Sequence, residues 1–182
     1  MTVTETDRVR RWVEQAVLGL GLCPFAGEPW HSGRVRLAVA TGRTEKALLA
    51  ELQAEISLLD QAAAEEIETT LLLVPHLLLK FADYTRFLGL AEELLEREGW
   101  AGDYQLASFH PAYQFEGTRP ADAENLTNRS PCPLLHVLRE SSVSRAVASH
   151  PDPEQIFSAN MATVRGLSAE RRQEIFGPQS PG

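Results

Sequence analysis

The apolar positions of this chain change their period several times, and each change marks a predicted element. Val9, Trp12, Val13, Ala16 and Val17 recur at helical spacing after Thr4 and Thr6, either of which can cap the helix. Gly19 and Gly21 end that helix, and Pro24 prevents another from running through Leu22–Ala26. From Arg34 to Ala40 the pattern alternates, with Val35, Leu37 and Val39 on one face and two arginines on the other, which predicts a half-buried edge strand. Thr44 opens a long helix carrying Leu48, Leu52, Ile56 and Leu59 on one stripe. Thr69 to Val74 is an unbroken apolar, β-competent run of the sort buried on both faces of a sheet, closed by Pro75. Helical spacing returns with Tyr84, Phe87, Leu88, Ala91, Leu94 and Leu95 and stops at Gly99. Tyr104 to His110 reads as a third strand, ended by Pro111.

Strand, helix, strand, helix, strand is the order of parallel crossovers. The expected fold is a single α/β domain over residues 1–182, with a small, mainly parallel β-α-β-α-β sheet and helices packed on it. The middle strand, the most apolar, is expected at its centre. Ala112 to Arg129 is irregular and longer than most connections in a compact domain, and Tyr113 and Phe115 within it argue for order. Ser130, with Pro131 in the first turn, predicts a fourth helix running to about Ala148. Asp152-Pro153-Glu154-Gln155 opens a C-terminal helix, and Ser168 starts a final short one, so the C-terminal part is expected to be α-helical.

Composition narrows the function classes. Of 182 residues, 43% are hydrophobic and 23% charged, an ordinary globular balance that excludes a disordered chain, a coiled coil or a collagen-like repeat. Two cysteines, Cys23 and Cys132, imply no disulfide framework and suit a reducing cytoplasm. A net charge of −8 repels polyanions, and the densest basic cluster, Arg8, Arg10 and Arg11, sits beside Glu5, Asp7 and Glu14. No nucleic-acid partner is therefore expected. The first residues are acidic rather than basic and apolar, and the apolar run Leu71–Leu79 is interrupted by Pro75 and His76 and too short to span a bilayer. The expectation is a soluble, cytoplasmic protein with no membrane partner.

The chemistry-bearing residues gather late in the chain. In an open parallel sheet, ligands bind beyond the carboxyl ends of the strands, and His76 and His110 both follow predicted strands. The segment after His110 holds Tyr113, Gln114, Asn128 and Arg129, the densest set of hydrogen-bonding tips in the sequence. Arg129 offers a fork for a carboxylate or phosphate just before a predicted helix N-terminus; turn and cap chemistry is the alternative for its Asn and Ser neighbours. On the predicted fourth helix His136 and Glu140 stand four residues apart, a spacing that lets both ligate one ion. With His110 they make two histidines and a carboxylate, a set suited to a divalent metal ion, iron or zinc; a salt-bridged helix face is the structural alternative. Cys23 is the remaining candidate, as a nucleophile activated by His110 or else as a small buried hydrophobe. Cys132, between two prolines, reads as packing. The Thr41-Gly42-Arg43-Thr44 turn could hold a phosphate at a helix N-terminus, although no Walker or dinucleotide pattern is present.

Three strings in this sequence, Leu20-Gly21-Leu22-Cys23-Pro24-Phe25-Ala26, Ala107-Ser108-Phe109-His110-Pro111-Ala112-Tyr113-Gln114-Phe115 and Asn125-Leu126-Thr127-Asn128-Arg129-Ser130-Pro131-Cys132-Pro133, together resemble a known family. It is the group of bacterial and plant proteins called domain of unknown function fourteen-fifteen, and the resemblance covers essentially the whole chain. An aromatic is usual in that family where Cys132 stands. The resemblance implies no reaction. It does imply that Cys23, His110, Tyr113, Asn128, Arg129, His136 and Glu140 share a site.

The leading functional expectation is an enzyme acting on a small anionic metabolite at the carboxyl edge of the sheet. Tyr113, Gln114, Asn128 and Arg129 would bind it. His110 would be the general base or a metal ligand with His136 and Glu140, or would activate Cys23. The alternatives are a non-catalytic small-molecule binding module using the same pocket, and a structural or partner protein whose polar residues only stitch the long loop to the body.

Overall fold

The computed structural model describes residues 3–177. Its first helix, α1 (Glu5–Trp12), starts at Thr4, whose hydroxyl accepts from the Asp7 amide while the Asp7 carboxylate accepts from the Thr4 amide. This reciprocal cap satisfies donors that a helix start otherwise leaves open. A π-helical turn, Val13–Leu18, prolongs α1. It closes on Gly19, where a Cβ would stand 2.5 Å from the Gln15 carbonyl oxygen. Short α2 (Gly27–His31) leads into β1 (Val35–Val39), α3 (Glu45–Gln61), β2 (Thr69–Leu73), α4 (Phe81–Arg97) and β3 (Tyr104–Phe109). Apart from α2, which no periodicity marks, these strands and helices lie where the sequence pattern places them.

The chain then departs from expectation. The segment predicted as a fourth helix from Ser130 forms a strand, β4 (Leu134–Arg139), and only then a helix, α5 (Glu140–Ser149). Strand order is β1-β2-β4-β3: β1 is parallel to β2, while β4 runs antiparallel to both β2 and β3. The fold is α/β as expected, but the sheet is mixed rather than mainly parallel. Leu134, Leu135 and Val137 of β4 are fully buried, and the segment Leu134–Leu138 is apolar apart from His136. Such a run has no period of its own, and a buried helix and a two-sided buried strand look alike in it. After α5, α6 (Gln155–Gly166) and α7 (Ala169–Phe176) follow, and the Ser168 hydroxyl caps α7 by accepting from the Arg171 amide.

Two apolar layers sandwich the sheet. On one face α3 and α4 bring Leu48, Leu52, Ile56, Leu59, Tyr84, Phe87 and Leu94 against Ala38, Leu72, Leu135 and Val137. On the other, α1 and the π-helical turn bring Val9, Trp12, Val13 and Ala16, with Ile175 of α7, against Leu71, Leu73 and Leu134. Strand residues of odd and even number thus divide between the layers, as a period of two requires.

Two side chains fasten β4 in place. At its start the Tyr84 hydroxyl donates to the Leu134 carbonyl at 2.6 Å and accepts from the Phe109 amide at 3.0 Å, tying β4 to the end of β3. At its far end the Arg139 guanidinium donates to the carbonyls of Leu59, Ala62 and Ile67 and to the Tyr104 hydroxyl. These carbonyls include orphans of the last turn of α3, which a cation satisfies well. Arg139→Ala removes the donor these carbonyls share, and we expect it to lower the unfolding free energy by about 2–4 kcal/mol in urea denaturation. A loss below about 0.5 kcal/mol would show that water replaces the guanidinium without penalty.

Candidate functional site

A cleft of about 730 Å³ opens at the edge of the sheet where β3 ends and the approach to β4 begins. Its size falls within the range of small-molecule sites, roughly 300–1,000 Å³. One wall is α1 and the π-helical turn, which contribute Arg8, Arg11, Trp12 and Gln15. These stand at i, i+3, i+4 and i+7, so one helical stripe faces the cleft. The loop after β3 supplies His110, Gln114 and Arg129, and α7 supplies Glu174, Ile175 and Phe176. Leu79 and Phe81, at the start of α4, complete the rim.

The His110 imidazole is wholly buried. One ring nitrogen, Nε2, lies 3.0 Å from the Leu78 carbonyl, and the other, Nδ1, lies 3.0 Å from the Ala112 amide. A carbonyl only accepts and an amide only donates, so Nε2 carries the proton and Nδ1 holds none. Burial pushes the His110 pKa below its ordinary value, against a weaker opposing pull from the Leu78 carbonyl. The ring is neutral, and its two hydrogen bonds pin the 75–80 loop to the loop that follows β3.

The rest of that loop is wired by its own polar groups. Arg129, nine-tenths buried, donates to the carbonyls of Tyr113 at 3.3 Å and Pro120 at 2.6 Å. Burial pushes its pKa down, which is the sign of a charge held away from water. Asn128 donates to the Ser108 carbonyl at 3.0 Å, and its own carbonyl accepts from the His110 amide. Tyr113 sets its ring at a tilt to Phe81 and edge-on to Phe115, and Gln114 donates to the Thr118 carbonyl. Asn125, fully buried, accepts from the Phe115 amide and the Thr118 hydroxyl and donates to the Arg119 carbonyl, and so organises the turn. Of the predicted binding residues, Gln114 and Arg129 reach the cleft, while Tyr113 and Asn128 buttress the loop behind it.

The predicted metal set does not assemble. His136 lies in β4, not on a helix, while Glu140 begins α5, so the four-residue spacing does not bring them to one side. His136 faces the α1 layer: its Nε2 is 2.8 Å from the Thr69 hydroxyl, which itself donates to the Val137 carbonyl, and its ring packs near Phe109. His110 turns the other way, onto Phe81 and Tyr84 of α4. The sheet therefore separates the two imidazoles, and Glu140 stands at the opposite end of β4 from Leu134 and the cleft. Among the described residues, no group of three or more His, Cys, Asp or Glu side chains could hold a metal ion.

Cys23 is likewise not in the cleft wall and makes no pair with His110, whose nitrogens are both taken. Burial pushes its thiol up, the opposite of activation, and the amides of Phe25 and Ala26 offset only part of that rise. Cys132 is buried too, its pKa pushed up to about 12 by burial and then by Glu5. At the Thr41–Thr44 turn the anion is internal: the Glu51 carboxylate accepts from the Thr41 hydroxyl and from the amides of Thr41 and Gly42. Burial raises the Glu51 pKa, but those hydrogen bonds outweigh it and leave the carboxyl below its usual value.

A family model described as protein of unknown function (DUF1415) matches residues 4–174. The chain belongs to the DUF1415 family. Curated proteins and solved structures searched with this chain return no match. Among the described residues of this DUF1415 protein, no helix is long and apolar enough to cross a membrane.

Arg8, Arg11, Trp12 and Gln15 are the site residues that sequence reasoning missed. Their signal was present as a helical stripe, but the neighbouring Glu5 and Asp7 seemed to cancel it. In the DUF1415 structure Asp7 is occupied in capping α1, Arg10 lies over the Trp30 ring, and Arg11 makes no ion pair or hydrogen bond among the described residues.

His110, wholly buried, and His136, partly buried, give a pH dependence with a definite sign. Burial holds His136 at about 4 and His110 below its ordinary value of 6.5. As pH falls through about 6.5 the unfolded chain takes up protons that the folded one refuses, so stability drops between about pH 6.5 and 4. Urea unfolding at several pH values in that window should show this loss. His136→Gln should flatten it by on the order of 2 kcal/mol, and an unchanged slope in the variant would assign the loss to other groups.

Proposed function

We propose that this protein binds a small anionic molecule in the cleft between α1, the loop after β3 and α7. One observation carries the reading: Arg8, Arg11 and Arg129, from segments far apart in the sequence, converge on one cleft of a chain whose net charge is −8. Guanidinium groups recognise carboxylates and phosphates through charge-assisted, often bidentate hydrogen bonds. Arg129 is positioned by loop carbonyls, and Arg8 is shared with Glu5 and the Pro131 carbonyl. Arg11 is exposed at the wall and is the guanidinium most open to a ligand.

The reading stops at binding. Proton carriers on the cleft wall are His110, neutral and doubly hydrogen-bonded, and Glu174, which accepts from Arg171 at 2.6 Å. Neither the Cys23 route nor the metal route has its groups in one place. The overall negative charge favours a small ligand over a polyanion, because long-range repulsion grows with the partner's charge. Both cysteines are free thiols, which supports a soluble protein in a reducing cytoplasm.

Calorimetric titration with simple phosphates and carboxylates tests the proposal. We expect binding that weakens as salt rises and falls by about tenfold or more in Arg11→Glu, while Arg97→Glu, a substitution outside the cleft, leaves it unchanged. Equal loss in both variants would reduce the effect to net charge and remove the case for the cleft.

A further inference from the structure

The arginines occupy only part of the cleft. Beside Gln15, Gln114 and Glu174 the cleft is lined by apolar side chains, Trp12, Leu79, Phe81, Ile175 and Phe176. Leu79 is 66% exposed, the highest value among the large hydrophobic residues of the described chain, and it stands on the rim. Its exposure follows from an unusual backbone. Leu78 adopts φ +59°, the one non-glycine residue with positive φ among those described, and its own side chain is buried in the α3–α4 layer. That conformation is strained for a residue with a branched side chain, and it persists where its surroundings hold it. Here the holding group is His110, which donates to the Leu78 carbonyl and packs on Phe81. A buried imidazole thus keeps a strained turn in the form that sends Leu78 inward and leaves Leu79 at the cleft.

Anion binding alone uses none of this. A bare phosphate or acetate needs donors and gains nothing from aromatic walls, whereas apolar surface beside guanidinium groups suits a ligand with both characters. We propose that the cleft takes an organic anion: a carboxylate or phosphate head at Arg11 and Arg129 joined to an apolar ring lying between α1 and the Leu79–Phe81 turn. This rests on the anion-binding reading above and adds the second half of the ligand. In this arrangement His110 is a positioning residue that acts through the turn and not through a proton.

Calorimetry with inorganic phosphate, methyl phosphate, phenyl phosphate and phenylacetate separates the two levels. We expect phenyl phosphate to bind at least about tenfold more tightly than methyl phosphate, and phenylacetate to bind measurably. Leu79→Ser, which alters an exposed side chain and spares the core, should narrow the phenyl-to-methyl ratio by about threefold without changing methyl phosphate binding. Equal affinity for phenyl and methyl phosphate, both lost in Arg11→Glu, would overturn the organic class and leave anion binding standing. Phenyl phosphate binding unaltered in Arg11→Glu and matched by neutral benzyl alcohol would overturn the anionic head, and with it both proposals. The absence of heat with all ligands at millimolar concentration would do the same.

Discussion

The insertion of β4 between β2 and β3 is the constraint on which the rest of this structure depends. Without it β2 and β3 would each expose a row of backbone donors and acceptors along a buried edge, an arrangement that folded proteins avoid. With it, β2 is paired on both sides and its five residues are buried. The strand can enter only if the chain after β3 turns back, and the loop between Pro111 and Pro133 makes that return. Its cost in ordering is offset by hydrogen bonds from Asn125, Asn128, Arg129 and His110, which tie it to itself and to the neighbouring turn.

The cleft is a consequence of that return. Because β4 begins beside the end of β3, the loop and the preceding turn meet α1 and α7 at one edge. The polar residues there divide by role. His110, Asn128, Asn125 and Arg129 all spend hydrogen bonds on the loop, while Arg11 and the apolar side chains of the wall stand at the cleft.

The positions of α1, α3, α4, α6 and α7, of β1 to β3 and of the long ordered loop were legible in the sequence. Each has a local cause: the Thr4, Thr44 and Ser168 caps, the apolar stripes of α3 and α4, the alternation of β1 and the proline after β2. Gln114 and Arg129 stood out in the sequence by their polar tips, and both line the cleft, although each also donates to carbonyls of its own loop. His110 drew attention for the right location, but its environment gives it a different task. The His136–Glu140 pair does not meet because the segment is extended: four residues of a helix rise about 6 Å, whereas four of a strand span roughly 13 Å, and Glu140 already belongs to α5.

Local pattern thus determined which segments are helical or extended, and composition determined an acidic chain with a conventional core. Tertiary structure decided the identity of β4, since an apolar run takes its conformation from the partners it pairs with and not from its own period. It decided that the sheet separates His110 from His136. It also decided that Arg8 and Arg11 join Arg129, because a contact between the first helix and a loop more than a hundred residues later is set by packing on the far face of the sheet. Sequence proximity to Glu5 and Asp7 hid that role, and the fold, by engaging Asp7 in a cap and leaving Arg11 at the cleft, revealed it.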